Sequence, residues 1–245
     1  MGLFSGLFGG SREERETKRI KDLQKRAQET YGDPAARTRA LEQLRDIGSP
    51  EAISALLQRF TVKTEPGITD AEEKEFTLSI VTSFGDAAVG PVEDFIRDYD
   101  SVAWGVRCLE ALVPQEHVVG TLTAVLDKLS REYSREPDKK VLLINHLGEH
   151  HTGDPRVGPA VRPFLEDPID EVRVAALQVI VRQGDKDAGE AIATCLVGAE
   201  APRVRAAAAS ALADLAAPVP AMRDAVAAKL PAGYAVDAGG IVRRS

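Results

Sequence analysis

The chain has 245 residues, with 31 basic and 38 acidic side chains and a net charge of −7. That balance excludes general nucleic-acid binding, which needs a basic footprint. Two cysteines, Cys108 and Cys195, sit in separate apolar stretches, which excludes a disulfide framework and reads as buried free thiols of a reducing compartment.

Hydrophobic residues make up 44% of the chain and aromatics 5%, so alanine and leucine between close-packed helices must replace large rings in the core. No stretch approaches transmembrane length and no cleavable signal is legible. The expectation is a cytoplasmic protein, with peripheral contact at the inner face of the membrane as a variant.

In chain order, residues 1–11 form an apolar tail and glycine hinge. Leu3, Phe4, Leu7 and Phe8 make two apolar pairs four residues apart, ahead of Gly9 and Gly10. Two readings stay open here: a tail that packs back on the first repeat, or an element that docks on a partner or a membrane surface. Residues 12–30 are nearly all polar, with Ile20, Leu23 and Ala27 as a narrow apolar stripe, and predict a capping helix.

Helix pairs then occupy 31–230, approximately at 34–60, 70–98, 101–133, 137–166, 170–198 and 202–230. After Gly48, Gly85 and Gly184 come Ser49, Asp86 and Asp185, short acceptors suited to capping the next helix. Asp170, and Thr69 or Asp70, are read as caps of their own helices. Arg97, Lys128, Arg131 and Arg162 are candidate contacts on a concave side. Trp104 reads as packing between repeats. After Pro231, Tyr234 and Val236 are separated from Ile241 and Val242 by Asp-Ala-Gly-Gly, which predicts an extended or β-hairpin tail over 231–245.

Three of the pairs align on their turn glycines. Arg37, Lys74 and Arg173 lie eleven positions before Gly48, Gly85 and Gly184, and Leu41, Leu78 and Leu177 lie seven before them. Arg205 holds an early basic position in the last pair. Neither helix of such a pair is long enough to stand alone, so each needs neighbours of its kind. The pattern DPxxR…AL…IG(S/D)xxA resembles HEAT repeats, in particular the short bacterial repeats of phycobilin lyase-like proteins. The resemblance implies an all-α solenoid of about six helix pairs and a ladder of repeat arginines with neighbouring acids. It is poor in functional information.

Chemistry would lie in the stretch NHLGEHHTGDPRVG. His146 and His150 share one helical face, with Glu149 and His151 beside them. HEAT-like di-iron hydroxylases carry repeated His-Glu pairs, whereas here the order is Glu149-His150 and it occurs once. Adjacent helical residues point about 100° apart, so His151 can join the pair only if the helix ends there. The expectation is therefore no metal, with His146 and His150 as weak candidates. No phosphate-binding glycine motif is present, so no catalytic residue and no cofactor is assigned. The function expected from sequence is a non-enzymatic scaffold or adaptor that binds another protein and no nucleic acid. The alternatives are an accessory or chaperone-like subunit of an enzyme system, or a metal-dependent hydroxylase-like enzyme.

Overall fold

The computed structural model describes residues 12–132 and 137–245. The docking residues Leu3, Phe4, Leu7 and Phe8, and the expected helix end at Tyr133, lie outside the described residues. The fold is all-α, built of stacked helix pairs as in an α-solenoid and ending in a short β-hairpin. The chain divides into two compact units, with the boundary between Val118 and Val119.

In the first unit, α1 (Arg12–Ala27) buries Ile20, Leu23 and Ala27 and packs on α2 (Pro34–Ile47) and α3 (Pro50–Leu57). The chain continues through α4 (Gly67–Ser83), α5 (Asp86–Asp98) and α6 (Ala103–Leu112). Asp33 accepts from the Ala35 amide at the start of α2, and Ser49 accepts from the Ala52 amide at the start of α3. Trp104 stacks on Phe60 with centroids 5.5 Å apart, and the Arg107 guanidinium lies over its ring. The unit boundary falls within α7 (Gln115–Ser130).

The second unit contains α8 (Asp138–His150), α9 (Val157–Val161), α10 (Asp170–Gln183), α11 (Gly189–Gly198), α12 (Pro202–Leu215) and α13 (Arg223–Ala227). α10 packs against both α8 and α12, so its apolar residues Val172, Ala176, Val179 and Ile180 form the middle of the core. Strands β1 (Tyr234–Val236) and β2 (Val242–Arg244) pair antiparallel, with Val236 opposite Val242. The hairpin lies on α12, where Val242 is buried and Arg244 pairs with Asp214. It covers apolar surface that the last helix pair would otherwise expose.

The turn glycines have a conformational reason. Gly48 and Gly184 end their helices in the left-handed region, at φ 64° and 66°. The capping expectations at four aspartates need correction. Asp86 is already the first residue of α5 and has no capping bond, and the Asp185 carboxylate is taken by Arg162 instead. Asp70 lies inside α4, whose cap position is Pro66, and Asp170 is the first residue of α10 after Ile169. At Asp170 and Asp185 a nearby guanidinium claims the charged acceptor, and at Asp70 the carboxylate is shared by Arg59, Lys74 and the Thr64 amide.

Candidate functional site

Charge buried in the first unit forms one network. Arg37 on α2 donates from Nε and Nη2 to the Glu73 carboxylate on α4, at 2.8 to 3.1 Å, and from Nη1 to the carbonyls of Glu29 and Gly32. Arg59, fully buried just after α3, donates to Glu73 and to Asp70. Lys74 completes the set on Asp70 at 2.8 Å. Burial pushes the Asp70 carboxyl up, but Lys74, Arg59 and the Thr64 amide outweigh it and hold the group down at about 2. The repeat pattern marks Arg37 and Lys74. It misses Arg59, whose neighbours Leu56, Leu57 and Phe60 read as plain core. Every guanidinium nitrogen of Arg37 and Arg59 is engaged in a hydrogen bond within the protein, so this network serves the fold.

The other expected positions are more dispersed. Arg97 pairs with Asp94 on its own helix, Arg131 with Asp127, and Lys128 with Glu132, all at exposed sites. Arg162 bridges to Asp185 and, at 3.8 Å, to Asp187. Arg173 is bonded to Asp170, which also lies 3.7 Å from Arg203, while Arg205 donates to the Glu200 carbonyl. The two thiols are buried, and burial pushes Cys108 up to about 12.

The histidines of the second unit are brought closer than their spacing alone requires. α8 ends at His150, because His151 leaves the helical region (φ −127°, ψ 37°) while its amide still bonds to Leu147. That exit is pinned by α10: the Gln183 carboxamide donates to the His151 carbonyl at 3.3 Å and accepts from the Gly153 amide at 2.7 Å. Helix α8 approaches α10 through Gly148, where a Cβ would lie 2.4 Å from the Val179 side chain.

The outcome is three imidazoles at one helix end. Ring centroids lie 4.6 Å apart for His146 and His150, and 5.6 Å apart for His146 and His151. His146 and His151 offer ring nitrogens within 4.8 Å of one another. His151 is 4% exposed, and both of its ring nitrogens and Nε2 of His146 are buried, whereas His150 faces solvent. Beside them, hydrogen bonds from Arg156 hold the Asp154 carboxyl down at about 2, with the His151 ring adding to the effect. Glu149 is directed to Arg182. His117, the fourth histidine, belongs to the first unit and bonds to Glu93 at 2.7 Å.

Two imidazoles that ligate one tetrahedral metal have ring centroids about 4.5 to 5.5 Å apart, since each metal–nitrogen bond is about 2 Å. The separations around His146, 4.6 and 5.6 Å, are of that order, and the histidine nitrogens that approach within 4.8 Å are those of His146 and His151. Imidazole sets of this kind suit zinc, nickel, copper and iron, and binding requires neutral rings.

The family model for HEAT repeats matches residues 122–213 and 159–244, and the model for the PBS lyase HEAT-like repeat matches residues 36–60. No match is found among curated proteins. Among solved structures, human deoxyhypusine hydroxylase in complex with glycerol is similar at 18% identity, with a TM-score of 0.35, over 87% of this chain and 90% of that one.

Proposed function

The chain belongs to the HEAT-repeat family, and we propose that it uses this frame to hold a divalent transition metal at the histidine end of α8. It would then serve a metal-dependent enzyme system as a working subunit, in place of the passive scaffold expected from sequence. The observation that carries the reading is the exit of His151 from α8, which brings a buried imidazole to within 4.8 Å of a ring nitrogen of His146. His146 and His151 supply buried nitrogens, and His150 stands at the solvent side, where a ligand can exchange. The Gln183 clamp fixes the backbone that carries His151, so the ring is oriented before metal arrives.

The test is metal titration of tag-free protein with zinc, nickel and cobalt, followed by isothermal calorimetry and the visible spectrum of the cobalt form. The expected result is stoichiometric binding that is lost in His146→Ala and in His151→Ala and kept in His117→Ala. Circular dichroism confirms that each variant is folded. Binding far below one equivalent, or equal loss in the His117 control, overturns the proposal and returns the protein to the scaffold class.

A further inference from the structure

A separate surface carries a second reading, independent of the histidine site. Helix α1 has seven basic side chains against four acidic ones, in a chain whose net charge is −7. Two of the acids, Glu13 and Glu14, belong to the first turn, where they favour the helix dipole. From Thr17 to Ala27, five basic residues face one acid, Asp22.

The positions of these charges arise from the helical period. Ile20, Leu23 and Ala27 are buried against α2 and α3. At about 100° per residue, Lys18, Lys21 and Lys25 fall on the opposite side as one stripe. All three are exposed and make no ion pair among the described residues, unlike Arg45, Arg97, Arg107 and Arg131 on other exposed helices.

We infer that α1 seats the protein on an anionic lipid surface, with Lys18, Lys21 and Lys25 against the headgroups. Charge complementarity selects this occupant: an otherwise acidic protein turns one lysine-bearing face outward. Lysine suits this role because its ammonium sits on a flexible stem and adapts to a fluid array of phosphates.

Flotation of the full chain with vesicles tests the inference, using phosphatidylcholine alone and phosphatidylcholine mixed with phosphatidylglycerol. The expected result is flotation with the anionic vesicles, weakened by salt. Each basic residue at such a surface contributes roughly a fivefold gain in partitioning, so the K18E/K21E/K25E variant should lose at least about a hundredfold. The lysines point away from the packed face, so the triple variant should keep the wild-type melting temperature and any metal binding. Absence of flotation at low salt, equal flotation with neutral vesicles, or a triple variant that floats like wild type would each overturn it.

Discussion

Arg37 and Glu73 are 36 residues apart, yet the Arg37 guanidinium makes a two-nitrogen contact with the Glu73 carboxylate, with side chains only 1% and 6% exposed. The same carboxylate accepts from Arg59, so one acid compensates two buried cations. Breaking a buried pair by removing one partner costs about 3 to 5 kcal/mol, because the other charge stays behind without water. Glu73→Ala should therefore destabilise the first unit by at least that amount, and more than Arg37→Met, which leaves Glu73 its bonds to Arg59. Urea unfolding of the two variants, monitored by Trp104 fluorescence, gives the comparison. Equal or inverted losses would contradict the shared-acid arrangement.

Asp70 gives the network a pH signature. Its carboxyl falls from an ordinary 3.8 to about 2 in the folded protein. A depressed carboxylate contributes stability that is present above the unfolded value and is lost as pH falls through the folded one. The window is therefore about pH 4 down to about pH 2, and the contribution is on the order of 2 kcal/mol. Asp70→Asn should lower stability at neutral pH and flatten its decline across that window. Calorimetric melting between neutral and strongly acid pH measures this, and an unchanged slope would remove Asp70 from the account.

Gly148 controls how closely α8 approaches α10. An added Cβ would meet Val179 Cγ2 at 2.4 Å, a distance that packed atoms do not tolerate. Overpacking costs about 1 to 3 kcal/mol, against a helix-propensity gain of up to about 1 kcal/mol for replacing glycine with alanine. The steric term wins, so Gly148→Ala should lower the melting temperature and, by shifting α8, weaken metal binding as well. Combining it with Val179→Ala opens room and should restore much of the metal affinity. No restoration would mean that the histidine geometry does not depend on this contact.

Much of the architecture was legible in the sequence because repeated local signals carry it. Turn glycines at 48 and 184 need left-handed backbone, apolar periodicity assigns the buried faces, and Asp-Ala-Gly-Gly between Tyr234–Val236 and Ile241–Val242 specifies the hairpin. The family was readable from the same repeats. What failed was the local chemistry of charge. Asp170 and Asp185 have the residue type of a cap, but cap chemistry alone does not register a guanidinium that claims the carboxylate once the chain has folded.

The sequence by itself determined that this is an all-α repeat protein, since period, breaker residues and repeated offsets act within one helix pair and need no distant partner. The tertiary structure decided which charges are buried and which imidazoles meet. Arg59 becomes part of a buried network through packing with α4, and His151 joins His146 and His150 because Gln183 on α10 holds the chain where α8 stops. Both outcomes depend on contacts between elements roughly ten to thirty residues apart, which pair energies in three dimensions select and a one-dimensional pattern does not record.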